Sequence, residues 1–341
     1  MMIPKNIQKT VVSVVRDIVP RNRDIISRRF GLKNGKKETL ESIGRSYGIT
    51  RERVRQIEEF SLKQLSKFVN VNPEVASYVN WARDFIDSKG GVVREKELFK
   101  NFSGQESDSS ANASLLFLLS VDGALVRYSE NDDFHAFWSS SGQKLDSFKN
   151  ATDALLRALE KSGNVVPGND LNSFADNNSI SNIEACLSIS KSVNKNIFDQ
   201  VGLVSWPEIK PRGVKDKAFL VLKKSGSPKH FAEIARLING ANFSNKKSNV
   251  QTIHNELIKD SRFVLVGRGM YALSEWGYSS GTVKDVLVDI LKKTQKPMSK
   301  ASLVAKVMGA RIVKENTILL NLQDSKIFSR KEDGTYALRK A

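Results

Sequence analysis

The sequence predicts a mainly α-helical protein with small β-hairpins, in which an N-terminal helix-turn-helix precedes tandem winged-helix modules. Three observations lead to this fold class. A helical apolar pattern is interrupted by glycine near residue 48, a segment recurs at a spacing of about 60–70 residues, and each recurrence ends in a hairpin signal. The chain has 341 residues, enough for several such modules.

The first element is a pair of helices around Gly48. The apolar residues of the first helix recur at helical spacing and are Leu40, Ile43 and Tyr47. Gly48 ends that helix because glycine enters the left-handed region at little cost, and Thr50 is a suitable N-cap for the next one. The second helix carries one buried face, Val54, Ile57, Ser61 and Leu65. Gly44, inside the first helix, indicates that the second helix crosses it closely.

The other face of the second helix begins with side chains that can read base edges. They are Arg51, Glu52, Arg55 and Gln56. Arginine pairs with guanine, glutamine with adenine and glutamate with cytosine, and residues near the start of the helix enter a major groove first. The alternative is an amphipathic helix with a salt-bridged outer face.

RDIISRRFGL (23–32) followed by ETLESIGRSYGITRERVRQIEEFSLKQL (38–65) resembles region 4 of the sigma-70 family of bacterial RNA polymerase factors, from about Val11 to Leu65. The resemblance implies binding to the upstream promoter hexamer through the same four side chains, and docking on the flap of the polymerase β subunit. The resemblance also implies further candidates for contacts with phosphates or with the flap, namely Arg28, Arg29, Thr39, Thr50 and Lys63. No aromatic-rich region-two pattern follows, so autonomous promoter opening is not expected.

The remainder of the chain contains repeats. VKDKAFLVLKKSGSPKHFAEIARLI (214–238) corresponds to VKDVLVDILKKTQKPMSKASLVAKVM (283–308), and SRFVLVGRGMYAL (261–273) to SKIFSRKEDGTYAL (325–338). Three helices followed by a hairpin is the order of a winged helix, and two weaker copies lie upstream. The predicted modules are residues 1–70, 71–141, 145–210, 211–278 and 279–341. NPEV, near 72–75, is interpreted as the linker after the first module, and WPEIKPRG (206–213) as a stiff joint.

Within the fourth predicted module, SPKHFAEIA, VQTIHNELIKD and RFVLVGRGMYALSEWG resemble the HARE winged-helix family, which includes the N-terminal domain of the RNA polymerase delta subunit. The resemblance covers roughly residues 212–278. Polar and basic side chains on and around its third helix and hairpin could hold a duplex, namely Lys246, Lys247, Gln251, Thr252, Asn255 and Arg268. The alternative is a solvated basic face on a wing that binds protein.

The charge of the chain is unevenly distributed. The net charge of +17 divides into +9 over residues 1–70, −6 over 71–210 and +14 over 211–341. Basic ends favour a nucleic-acid partner, because neutralising phosphates releases counterions. The alternative is a basic surface that aids solubility.

The residue content of the chain argues against several classes of protein. Three scattered histidines, one cysteine and no phosphate-binding glycine motif argue against an enzyme, a bound metal or another cofactor, and a small-molecule substrate. Cys186 is expected to be a small buried apolar residue. No run of about 18 apolar residues and no secretory signal is present, so no membrane association and a cytoplasmic, nucleoid-associated location are expected.

Two functions remain open. The first is a sigma-factor-like, sequence-specific DNA-binding transcription protein, with double-stranded DNA and RNA polymerase core as its partners. The second is an RNA polymerase-binding adaptor or sigma competitor that acts mainly by protein–protein contacts, with the acidic middle modules as its docking surface.

Overall fold

The computed structural model describes residues 6–69, 72–241, 243 and 247–339. Over these ranges the chain forms two compact units, Met1–Ser205 and Trp206–Ala341. Both units are mainly helical and carry small antiparallel sheets, which confirms the predicted class. In the described part of the chain, no helix combines the length and apolar composition that crossing a membrane requires.

Four helices begin the first unit. They are α1 (Ile7–Val15), α2 (Pro20–Phe30), α3 (Leu40–Tyr47) and α4 (Arg51–Val69). Proline suits the first position of α2, because the amide that proline lacks has no partner within the helix there. The pair α3 and α4 is the predicted helix-turn-helix, and its four predicted core residues on α4 are all buried.

Two repeats complete the first unit. The first repeat comprises α5 (Pro73–Ser88), β1 (Val92–Arg94), α6 (Glu95–Ser103), α7 (Ser110–Asp122), β2 (Val126–Tyr128) and β3 (Phe137–Ser139). The second repeat comprises α8 (Gly142–Ser162), β4 (Val166–Pro167), α9 (Leu171–Asn177), α10 (Ile183–Ile189), β5 (Val193–Lys195) and β6 (Gln200–Leu203). The sequence predicted this module from residue 145, whereas its first helix, α8, begins three residues earlier at Gly142.

The second unit contains two further repeats. The third repeat comprises α11 (Val214–Ser225), β7 (Lys229–His230), α12 (Phe231–Gly240), α13 (Val250–Lys259), β8 (Phe263–Gly267) and β9 (Met270–Leu273). The fourth repeat comprises α14 (Val283–Thr294), α15 (Lys300–Ala310), α16 (Glu315–Leu322), β10 (Phe328–Arg330) and β11 (Tyr336–Leu338). VKDKAF and VKDVLV thus begin equivalent first helices.

The sheets share one order, in which the last strand lies in the centre. The orders are β1-β3-β2, β4-β6-β5 and β7-β9-β8. In the fourth repeat β10 pairs with β11, and a bridge between Met298 and Tyr336 takes the place of the first strand. The hairpins were predicted, whereas the short strand between the first and second helices was not. Assignment of the repeats to the winged-helix family stays a prediction.

A continuous core joins the helix-turn-helix module to the first repeat. The ring of Phe30 on α2 meets the ring of Phe117 on α7 edge-on, with centroids 5.2 Å apart. Leu65 of α4 belongs to the same buried cluster as Val75 of α5. Asn72 caps α5, which starts at the next residue. The interpretation of NPEV as a separating linker is therefore wrong, because these residues begin a helix packed on the preceding module.

Neighbouring repeats within each unit are joined by backbone hydrogen bonds. In the first unit the amide of His135 donates to the carbonyl of Ile189 at 2.9 Å. In the second unit the amide of Ile312 donates to the carbonyl of Val266 at 2.9 Å, and the buried Arg311 donates to carbonyls in the segment before α14. Each unit therefore contains a packed pair of repeats, and the first unit contains the helix-turn-helix module as well.

Candidate nucleic-acid interface

The turn between α3 and α4 is held by three residues. Gly48 adopts a left-handed conformation at φ 65° and ends α3. A Cβ on Gly44 would lie 2.7 Å from the carbonyl oxygen of Ile49, so the chain passes too closely for a side chain. The hydroxyl of Thr50 accepts a hydrogen bond from the amide of Arg53 at 3.2 Å and caps α4. These contacts fix the direction in which α4 leaves the turn.

The first two turns of α4 have one apolar and one polar face. Val54 is fully buried and Ile57 nearly so. The four side chains predicted to read bases are all exposed on the remaining surface, Arg51, Glu52, Arg55 and Gln56. The structure thus brings the predicted set together at the start of one exposed helix.

Ion pairs organise this exposed surface. Arg55 donates to both carboxylate oxygens of Glu52 at 2.8–3.2 Å and to the carboxylate of Glu59 at 3.1 Å. The hydrogen bond from Arg55 lowers the pKa of Glu52, and the same contact raises the pKa of Arg55. Gln56 accepts from Arg53 at 3.1 Å. The salt-bridged outer face considered as the alternative therefore exists, in addition to the base-reading residue types.

Comparison with known proteins locates the same segment. Residues 18–67 match the family model described as Sigma-70, region 4. The N-terminal module resembles sigma-70 region 4. RNA polymerase sigma factor SigA of Nostoc sp. is 38% identical over 78 residues, which cover 23% of this chain and 20% of that protein. RNA polymerase principal sigma factor HrdD of Streptomyces coelicolor is 46% identical over 48 residues, 14% of each chain.

The match is confined to one module. The chain spans about a fifth or less of the length of these sigma factors. The family model ends at residue 67 and does not include residues 212–278, so their resemblance to the HARE family stays a prediction.

Two arginines of the region-4-like module have partners inside it. Arg28 forms a two-pronged contact with the Glu38 carboxylate, with Nε and Nη2 at 2.9 and 2.7 Å from its oxygens, and Arg29 contacts Glu58 at 3.1 Å. The hydrogen bond from Arg28 lowers the pKa of Glu38. Both arginines are half-buried. They tie α2 to the segment before α3 and to α4, so their assignment to phosphate or flap contacts stays a prediction with a structural alternative.

The other three weaker candidates differ in exposure and role. Thr39 caps α3 by accepting from the amide of Ser42 at 3.1 Å, and Thr50 caps α4. Lys63 is exposed in the second half of α4. The two threonines therefore have a structural role whatever else they contact.

Two exposed cations beside the turn were not among the residues predicted from the sequence. Arg45 on α3 is 80% exposed at its side chain, and Arg53 projects from the first turn of α4. Both lie within GRSYGITRER, so the signal was present as charge next to the turn. A third cation, Arg21, lies over the ring of Tyr47 at 5.5 Å. These residues are additional candidates for phosphate contacts.

The candidate residues of the third repeat are exposed but sparsely charged. Gln251, Thr252 and Asn255 lie on the outer face of α13, opposite the buried Ile253 and Leu257. Arg268, at the tip of the β8–β9 hairpin, and Lys247 are exposed, while Lys246 lies outside the described residues. The outer face also carries Ile258, which is 63% exposed.

Over the described ranges, no three histidine, cysteine, aspartate or glutamate side chains are grouped so as to hold a metal ion. Cys186 is fully buried and accepts a hydrogen bond from the Thr152 hydroxyl at 3.5 Å. Burial raises the pKa of its thiol, which disfavours the reactive thiolate.

Proposed function

We propose that the protein is a non-enzymatic, sequence-selective DNA-binding transcription protein that reads a promoter-like element with the first two turns of α4. The observation that carries the proposal is the exposed set Arg51, Glu52, Arg55 and Gln56 at the start of the second helix of a helix-turn-helix whose residues match the region 4 model. Each of the three residue types has a matching base edge in the major groove.

Cations flanking the turn would position the helix on the duplex. Arg45 and Arg53 are exposed on either side of the α3–α4 turn, where contacts to the phosphates would orient α4 without reading sequence. The net charge of +9 over residues 1–70 supports attraction to the duplex. In this proposal the basic second unit holds flanking DNA.

The module would present its reading helix from a rigid base. Because α7 packs against α1, α2 and α4, the first repeat supports the module on the side that these three helices form. The repeats are proposed to be winged helices, and their joints would limit independent movement within each unit.

RNA polymerase is the proposed protein partner. The family of the matched module concerns RNA polymerase sigma factors, but the face formed by α1, α2 and α4 is covered by α7. A contact with the β flap would therefore use other surface. Phe60 and Phe68 on α4 are 63% and 47% exposed, which offers apolar area for a protein partner.

Those two phenylalanines also favour the second candidate, an adaptor or sigma competitor that binds polymerase without selecting DNA. Two assays of the 341-residue chain separate the candidates. The proposal predicts enrichment of a defined sequence when sites are selected from random DNA without polymerase. Capture by immobilised polymerase core without any such enrichment would favour the adaptor.

A further inference from the structure

A basic cleft lies on the fourth repeat, away from its third helix. It lies between the end of α14 and the β10–β11 hairpin and has a volume of about 550 Å³. Its polar and charged lining residues are Lys292, Gln295, Lys296, Ser329, Lys331 and Arg339. Two cations come from the helix side and two from the hairpin side, so positive charge faces the cleft from both directions.

None of the four cations forms an ion pair within 4.0 Å with an acidic side chain of the described residues, whereas Lys284 of the same repeat is paired with Asp324. The hydrogen bond from Thr335 lowers the pKa of the Asp333 carboxyl, and the charge of Lys331 contributes to this lowering at longer range. Arg339 donates one hydrogen bond to the carbonyl of Ser325 at 2.6 Å. The carboxylate of Asp333, on the hairpin turn, accepts instead from Thr335. Since no carboxylate contacts Lys292, Lys296 or Arg339 in the described residues, most of the positive charge of the cleft is available to an external anion.

The third repeat shows that this charge is not a requirement of the fold. When the two repeats are aligned at Pro228 and Pro297, Ser227 takes the position of Lys296. When their hairpins are aligned by strand register, Val266 takes the position of Lys331 and Ser274 that of Arg339. Lys292 has a basic equivalent, Lys223, but that side chain contacts Glu208 at 3.5 Å. The cleft of the fourth repeat therefore contains several cations without an ion pair, whereas the equivalent surface of the third repeat does not.

The third helices are poorer candidates for holding phosphates. No lysine or arginine lies within α16, and Lys259 is the one cation of α13. The outer faces carry exposed apolar side chains instead, including Ile258 and Leu320. Contacts with the backbone of a duplex depend on cations, so a surface without them contributes little.

We propose that the cleft between α14 and the β10–β11 hairpin binds the sugar-phosphate backbone of duplex DNA. Three lysines act as point charges and Arg339 as a forked donor, a combination that fits phosphate oxygens without reading bases. The inference rests on the proposed function and deepens it, because it assigns the holding of flanking DNA to one side of one repeat.

Two triple variants of the 341-residue chain test this assignment. The cleft variant is Lys296→Gln, Lys331→Gln, Arg339→Gln, and the control is Lys259→Gln, Lys306→Gln, Lys314→Gln, which removes three exposed cations on or near the helices of the third and fourth repeats. The probe is a labelled duplex of arbitrary sequence, titrated by fluorescence anisotropy at several salt concentrations. The slope of log affinity against log salt should become shallower by about 2–3 in the cleft variant and by less than about 1 in the control. Equal slopes, or a larger change in the control, would overturn the inference.

Chemical labelling gives a second readout with the wild-type protein. Bound duplex should protect Lys292, Lys296 and Lys331 from acetylation while Lys259 and Lys314 stay reactive. Protection confined to the latter pair, or tighter cleft-dependent binding of single-stranded RNA than of duplex, would contradict it. Because the probe has arbitrary sequence, these results are independent of whether α4 selects bases, so failure of the proposed function would be distinguishable.

Discussion

The guanidinium of Arg55 and the carboxylate of Glu52 form a two-pronged contact on the exposed face of α4, with Nε and Nη2 at 3.0 and 2.8 Å from the two oxygens. Glu59 binds the remaining Nη1 at 3.1 Å. Glu52 thus orients Arg55 toward the start of the helix, while Glu59 competes with any base or phosphate for the same guanidinium.

Glu59→Gln should strengthen DNA binding. The substitution removes a carboxylate that repels phosphate and draws on Arg55, and since exposed ion pairs are weak, the gain should be roughly twofold or a little more. Anisotropy with a selected duplex measures it. The matched control is Glu106→Gln, which breaks an exposed ion pair with Lys100 outside the helix-turn-helix and should leave affinity unchanged. Weaker binding by Glu59→Gln would show that this carboxylate positions Arg55 productively.

Glu38→Gln should reduce stability in a pH-dependent way. The pKa of Glu38 is lowered from its ordinary value near 4.5 by the hydrogen bond from Arg28. Because the pKa of Glu38 is lower in the folded chain than in the unfolded chain, its charge stabilises the fold at pH values above the unfolded-state pKa. This stabilisation is lost as the pH falls through the folded-state pKa. At pH 7 the cost should be less than about 1 kcal/mol, because the carboxylate is partly exposed and solvent screens the pair.

Urea unfolding of the wild type and of Glu38→Gln at about pH 7 and about pH 2.5 measures the difference in their free energies of unfolding. The difference should disappear at about pH 2.5, where the carboxyl of Glu38 is protonated and is equivalent to the amide of glutamine. Glu41→Gln, in an exposed pair with Arg45, should show no measurable change at either pH. A difference for Glu38→Gln that persists at low pH would contradict the role assigned to its charge.

The reading face was predictable from sequence, but the ion pairs around it were not. Apolar spacing placed Val54 and Ile57 inside, and this left Arg55 and Gln56 outside. The contacts of Arg28 with Glu38 and of Arg29 with Glu58 span 10 and 29 residues, and periodicity along one helix says nothing about partners on another.

Gly44→Ala should destabilise the first unit although alanine favours helices. The added Cβ would approach the Ile49 carbonyl to 2.7 Å, so the turn must move, at a cost of about 1–3 kcal/mol. Chemical denaturation is the measurement. Gly142→Ala is the control in the same unit, because its Cβ would meet open space near the start of α8, and it should be neutral or slightly stabilising. Equal effects of Gly44→Ala and Gly142→Ala on stability would show that the close approach of the Ile49 carbonyl is not the reason for glycine at position 44.

A fragment of residues 1–70 should fold poorly, whereas residues 1–205 should unfold cooperatively. The short fragment exposes side chains of the shared core, including Phe30 and Leu65, which the first repeat covers. Circular dichroism and amide NMR spectra compare the two. Within residues 1–205, Phe117→Ala should cost about 3–5 kcal/mol. A short fragment as stable as the long one would show that the core is divisible at residue 70.

The linker error and the missed strands have physical causes. Proline at position 73 is compatible with both a break and the first position of a helix, and local sequence does not report that α7 lies across α4. The strand Lys229–His230 has two residues, too short for an alternating pattern, and its pairing with β9 depends on a partner about 40 residues away. Local signals predicted the elements, whereas long-range packing determined their grouping.

Selection of binding sites from random DNA by the wild type and by Arg55→Ala, Gln56→Ala tests the central claim most directly. The wild type should enrich a defined sequence. The double variant should lose preference at the corresponding base pairs, by about 5- to 150-fold per lost pairing, while retaining non-selective affinity. An unchanged sequence preference in the double variant would contradict the account, because the start of α4 would then not be the reading surface.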